Sequence, residues 1–321
     1  MQKRRHHFVP KAYLKSFVDT NGRLLVYRKD DPGRPLSVAP DATQFRSYYY
    51  SQPLPDGGID NNKLEDFFST IESPWPDIVS RMRERANIND SLESIFSFIA
   101  LQRARVPAAR DLAEAMMAAS VKSTMRVMLA SGNLPPPPGR LGETLDGVEV
   151  AIDPHQSIWA MRATIDGMAS LFNRIGIAAV HNLTKVPFLT SDNPVIWFDP
   201  SIPFEKQRPY TIDPEGPLLL AVPITPQLAL IGSNEYKNVF GRLGLQHADT
   251  ADEPFVEMIN AQICRFAYEA VIAQGRGAED VIGKYSSVSP IHEATPLVVG
   301  KGELVIHRQT FGPRSKKPKW K

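Results

Sequence analysis

The sequence predicts an α+β fold, with a helical layer from the first half of the chain packed on a mainly antiparallel sheet from the second half. Three observations carry this expectation. Apolar residues recur at helical spacing through most of the chain up to Phe172. After Gly176 the pattern switches to short runs rich in β-branched and aromatic residues, bounded by proline and polar turn residues. Helices and strands fall in blocks and do not alternate, which argues against a doubly wound parallel sheet.

Taken in order, Pro10 suits the first position of a helix on which Tyr13, Leu14 and Phe17 share a face while Lys11 and Lys15 face water. Asp19-Thr20-Asn21-Gly22 stops it, a strand follows through Arg23 to Arg28, and Asp30-Asp31-Pro32-Gly33 turns the chain. Tyr48-Tyr49-Tyr50 fits a β-segment or a stacking surface. Asn62 with Glu65 has capping-box spacing before the stripe Leu64, Phe67, Phe68 and Ile71. Glu65 and Glu72 are seven apart and share one edge of that stripe. Ser73-Pro74-Trp75-Pro76 breaks the helix, and another begins near Asp77.

Asp90 with Glu93 opens the next helix, whose buried stripe is Leu92, Ile95, Phe96 and Ile99. Gln102 and Arg103 continue that stripe, and Arg105 lies on its shoulder beside Phe98. An arginine directed at a core needs a carboxylate or an anion, because an unpaired buried charge is prohibitively costly; Glu65, Glu72 and Asp192 are the candidates. Pro107 ends or bends this helix, and 108–131 forms another. A proline-rich connection at 134–139 separates a helical lobe, about 1–132, from a β-containing lobe, about 150–312. The two lobes make one expected α+β domain over 1–312.

Asp153-Pro154-His155-Gln156 caps a further helix. Strands are expected at 177–183, 187–190 and 195–198, with Ser191-Asp192-Asn193-Pro194 as the corner between the last two. A hairpin-like pair at 218–222 and 227–231 follows, then a long helix from Asp252 to about Ala273 and a closing hairpin at 298–306. Residues 313–321 make a basic, flexible tail.

Composition narrows the classes. A formal net charge of +2 excludes a polycation, so any nucleic-acid footprint is local. The single cysteine, Cys264, excludes an internal disulfide and a multi-cysteine zinc site, which fits a reducing cytoplasm. Lys11 and Lys15 interrupt any signal-peptide core, and the most apolar run, 218–222, stops at Pro223, far short of the roughly 20 residues needed to span a bilayer. A soluble protein with no membrane partner is expected. Phosphate-loop, dinucleotide, nucleophile-elbow and zincin motifs are absent from the sequence.

The run His6-His7-Phe8-Val9-Pro10 with Tyr13-Leu14-Lys15 and Phe17 resembles the opening of the bacterial family catalogued as domain of unknown function 4238. Gln102, Arg105, Pro107 and Arg110 are similar to that family's Gln-x-x-Arg-x-Pro-x-x-Arg helix, and Ser191-Asp192-Asn193-Pro194 to its Ser-Asp-Asn-Pro turn. The resemblance implies one recurrent fold carrying these landmarks and assigns no activity.

Imidazoles and carboxylates suit divalent-metal binding and proton transfer near neutral pH, and arginine grips phosphate in a bidentate fork. The expectation is a metal-dependent hydrolase of phosphodiesters, nuclease-like, with His6, His7 and Asp192 catalytic. Gln102, Arg105 and Asn193 would bind substrate, and His6, Glu72 and Asp192 would hold a divalent ion. On a strand the two adjacent imidazoles point to opposite faces, so at most one serves a given site. Two other readings stand beside this one. The first is a non-catalytic nucleic-acid-binding protein gripping phosphate with its basic termini; the second makes His6, Gln102, Arg105 and Asp192 a buried network that fixes the fold.

Overall fold

The computed structural model describes residues 3–133, 147–211, 213–299 and 302–314. The expected proline-rich connection at 134–139, and the basic tail beyond Arg314, lie outside the described residues. The architecture is α+β.

The chain opens with β1 (Arg5–His7), α1 (Lys11–Leu14), β2 (Leu24–Arg28) and β3 (Asp31–Val38). A 3-10 turn over Lys15–Phe17 extends α1, so Tyr13, Leu14 and Phe17 are all buried, as their spacing requires. The turn between β2 and β3 falls at Lys29 and Asp30, and Pro32 and Gly33 lie inside β3. Because β3 is an edge strand, a missing N–H there is tolerated. Next come β4 (Phe45–Ser47), antiparallel to β1, then β5 (Gln52–Pro53) paired with β6 (Ile59–Asp60). The tyrosine run is a turn, with Tyr48 at φ 56° and Tyr50 buried.

The helices of the first layer are α2 (Lys63–Glu72), α3 (Trp75–Arg83), α4 (Leu92–Arg105), α5 (Pro107–Ala130) and α6 (Pro154–Phe172). Pro76, Pro107 and Pro154 all stand in a first turn, where no N–H is needed. Of the three expected caps only Asp153 accepts an N–H of its own helix, that of His155 at 2.9 Å and not that of Gln156 three residues on. At α2 the Asn62 Oδ1 accepts the distant Lys3 N–H at 2.9 Å, and Asp60 takes the N–H groups of Asn62 and Lys63. Before α4, Asp90 accepts from Arg81 at 2.8 Å. Long-range partners thus displace the local caps that spacing suggested.

The second half supplies β7 (Gly176–Asn182), β8 (Thr190–Ser191), β9 (Ile196–Phe198), β10 (Leu219–Thr225), β11 (Leu228–Ser233), α7 (Lys237–Leu243) and β12 (Gln246–Thr250). After these come α8 (Glu253–Phe266), β13 (Ala270–Ala273), α9 (Glu279–Lys284), β14 (Ser289–Val299) and β15 (Gly302–Gly312). One sheet has the order β12-β7-β11-β10-β9 and is antiparallel except where β12 joins β7. Gly176 opens β7 because a Cβ there would lie 2.4 Å from the Tyr236 carbonyl oxygen. A second, antiparallel sheet, β3-β2-β13-β8, takes β2 and β3 from the first half of the chain.

The helix expected to run from Asp252 to about Ala273 ends at Phe266. The N–H groups of Tyr268, Glu269 and Ala270, which a longer helix would turn back on itself, donate instead to the Asp192 carboxylate. Val106, Ala108, Ala109 and Tyr268 pack as a small separate cluster, and the other buried apolar side chains from Phe8 to Ile282 form one contiguous core. Within it Trp75 of α3 stacks on Phe98 of α4, with ring centroids 3.7 Å apart. Among the described residues no helix is long and apolar enough to cross a membrane.

Candidate functional site

The two histidines of β1 point to opposite faces of the strand and meet different environments. His6 is fully buried. Its Nδ1 accepts the Tyr50 N–H at 2.8 Å, which leaves the proton on Nε2 facing the Lys3 carbonyl at 3.2 Å. Its ring also stacks on Tyr50 at 5° between planes. Burial lowers the pKa of His6 and keeps it neutral. Both ring nitrogens are committed to backbone.

His7 lines a cleft of about 580 Å³, together with Lys3, Arg5, Lys11, Glu65 and Glu72. Its ring leans on Phe45, 5.4 Å between centroids, and among the described residues its Nε2 has no hydrogen-bond partner. Burial, then the positive charge of Lys11, push its pKa down to about 4. On α2, Glu65 Oε1 is likewise buried and without a partner among the described residues. Burial pushes the Glu65 carboxyl up to about 7 against the pull of Arg105, while the neighbouring charge of Glu72 adds to the rise. The cleft therefore contains a neutral imidazole and a carboxyl that holds its proton into the neutral range.

Behind the cleft is the landmark arginine of α4. Arg105 is 1% exposed; its Nη1 donates to Glu72 Oε1 at 2.5 Å and its Nη2 to Gln102 Oε1 at 3.3 Å. The Gln102 side chain in turn donates to the Phe8 carbonyl at 3.0 Å, and the Tyr50 hydroxyl donates to the Arg105 carbonyl at 2.8 Å. This chain of contacts ties β1, α2, α4 and the tyrosine turn into one wall. Arg105 has thus found Glu72, and Glu65, which the sequence offers for the same pairing, keeps Oε1 without a partner among the described residues.

Asp192 and Asn193 stand elsewhere, at the corner between β8 and β9. Asp192 is fully buried and accepts the N–H of Tyr268 at 2.8 Å, that of Glu269, and that of Ala270 at 3.3 Å. Burial pushes its pKa up to about 6, with the Tyr268 N–H opposing. Asn193 donates to the Tyr210 hydroxyl at 2.5 Å and to the Phe266 carbonyl at 2.8 Å. Neither lines the His7 cleft. The expected ligand set of His6, Glu72 and Asp192 does not assemble, because backbone groups occupy His6 and Asp192 and Arg105 occupies Glu72. Among the described residues, no group of three or more His, Cys, Asp or Glu is arranged to hold a metal ion.

Spacing alone marked Glu65 as a helix-edge acid and Lys11 as a solvated face of α1. Their roles at the cleft arise from the packing of α1 and α2 beside β1, for which the sequence carries no local signal. A family model described as protein of unknown function (DUF4238) matches residues 5–277, a span that includes the α4 network, the corner and the named cleft residues other than Lys3. No curated protein and no solved structure matches.

Proposed function

We propose, for this chain, which belongs to the DUF4238 family of proteins of unknown function, that the His7 cleft binds a phosphodiester and hydrolyses it by proton transfer. One observation carries the reading: in one cleft, His7 Nε2 and Glu65 Oε1 lack partners among the described residues, and the pKa values of the two side chains are displaced in opposite directions. His7 accepts a proton from the attacking water, and neutral Glu65 gives one to the departing alkoxide as the P–O bond breaks. Lys3, Arg5 and Lys11 at the cleft hold the phosphate by charge. Both reactive atoms lie below the solvent-accessible surface, so engaging substrate requires rotation of these side chains. Among the described residues the cleft acids and His7 do not make a metal ligand set, and no step runs through a metal ion.

A structural role is the second reading, and it concerns His6, Gln102, Asp192 and Asn193. It is supported by their burial and by the backbone groups each one engages. These residues hold the wall and the corner without touching substrate.

The test is hydrolysis of bis(p-nitrophenyl) phosphate and of single-stranded RNA and DNA, measured with divalent metal and with chelator. Turnover that persists in chelator and falls by orders of magnitude in His7→Ala and Glu65→Gln, with both variants folded, is the expected result. A wild-type protein inactive on every substrate in both conditions would overturn the hydrolase.

A further inference from the structure

We propose that Arg103, Trp197 and Tyr210 form an internal site for a small monovalent anion of carboxylate or halide size, separate from the His7 cleft. Arg103 is 5% exposed, and among the described residues its Nε and Nη1 find no hydrogen-bond partner. Its guanidinium lies 3.8 Å from the centroid of the Tyr210 ring and 5.5 Å from that of Trp197. The Trp197 indole N–H is buried and unpartnered as well. Stacking satisfies the face of a guanidinium; it leaves the N–H groups at the edge, which are the costly ones to desolvate.

A buried cation with free donors, next to a second free donor, has the chemistry of an anion receptor. An unpaired interior charge is too expensive to keep. Charge balance selects a monovalent ion, since one negative charge neutralises Arg103. The Tyr210 hydroxyl at this site accepts from the Asn193 amide at 2.5 Å, which ties the site to the corner. Tyr210 is held at φ 57°, a left-handed conformation that a tyrosine adopts only under constraint from its surroundings. The arrangement joins α4 to the Ser-Asp-Asn-Pro corner through a residue outside the landmark motifs.

The experiment is a titration of the protein, labelled with ¹⁵N in its four tryptophans, with sodium formate and with sodium chloride. Sodium sulfate at matched ionic strength serves as the control. The Trp197 indole resonance is identified by its loss in Trp197→Phe. A saturable shift of that resonance with formate or chloride and not with sulfate, abolished in Arg103→Met, is the expected result. Absence of a saturable shift in the wild type overturns the site. So does an equal response to sulfate, or an undiminished one in Arg103→Met. Should Arg103→Met fail to fold, the wild-type titration alone decides.

Discussion

Two adjacent imidazoles, His6 and His7, share one short strand and have opposite fates. The strand geometry alone separates them, and their partners then define what each does. His6→Ala deletes the acceptor of the Tyr50 N–H and the donor to Lys3, leaving buried groups unsatisfied, at a cost of about 1–3 kcal/mol. His7→Ala strands no donor or acceptor at Nε2, so its urea midpoint should shift less than that of His6→Ala. Equal midpoints for the two variants would remove the distinction. The titrations are also opposed in sign. Glu65 binds its proton more tightly in the folded chain, about 7 against an ordinary 4.5. Its contribution to stability is therefore full below 4.5 and is lost as pH rises through about 7. His7 is the reverse: folding lowers it from 6.5 to about 4, so its contribution is full above 6.5 and is lost as pH falls through about 4. Because the two contributions oppose one another between about 4.5 and 6.5, the difference isolates Glu65: in chemical denaturation Glu65→Gln should gain stability relative to the wild type as pH rises from 4.5 to about 7, and an unchanged slope in that variant would show Glu65 to be ordinary.

At the scale of elements, the sequence reveals most where the cause is local. Proline positions and apolar stripes place α2 to α6 closely, and the hairpin of β10 and β11 is legible from its proline-bounded turn. What it conceals depends on distant partners: the end of α8, the joining of β2 and β3 to β13, and the replacement of the caps at Asn62 and Asp90. The end of α8 shows why. Asp192, far away in sequence, accepts three consecutive N–H groups just past the helix. From the other side Lys29 Nζ donates to the carbonyls of Cys264 and Ala267 at 3.0 and 2.9 Å, which are the carbonyls a helix end leaves unsatisfied. Asp192→Ala should then cost about 1–3 kcal/mol and should speed amide exchange at Tyr268, Glu269 and Ala270 ahead of the strands of the five-stranded sheet. Uniform exchange across both regions would mean that the corner does not hold the helix end.

Over the whole molecule, the three family landmarks divide between two polar centres. The histidine strand and the Gln-x-x-Arg helix build the cleft wall, and the corner braces α8 and β13. The landmark residues were visible in the sequence, but their grouping was not, because polar residues at stripe edges give no indication of which distant element they will face. The cleft acts as a unit through charge, and this yields the prediction that most directly joins geometry to activity. A proton-transfer pair needs His7 unprotonated and Glu65 protonated, so kcat/KM should be bell-shaped, rising through about 4 and falling through about 7. The acid limb depends on Lys11, whose positive charge helps to depress His7. Lys11 is exposed, so its influence is screened by salt. Lys11→Met removes that repulsion, raises the His7 pKa and should move the acid limb to higher pH while leaving the alkaline limb in place. High salt should move the wild-type acid limb in the same direction and the Lys11→Met limb less. An acid limb indifferent to both the substitution and the salt would assign the proton acceptor to a group other than His7.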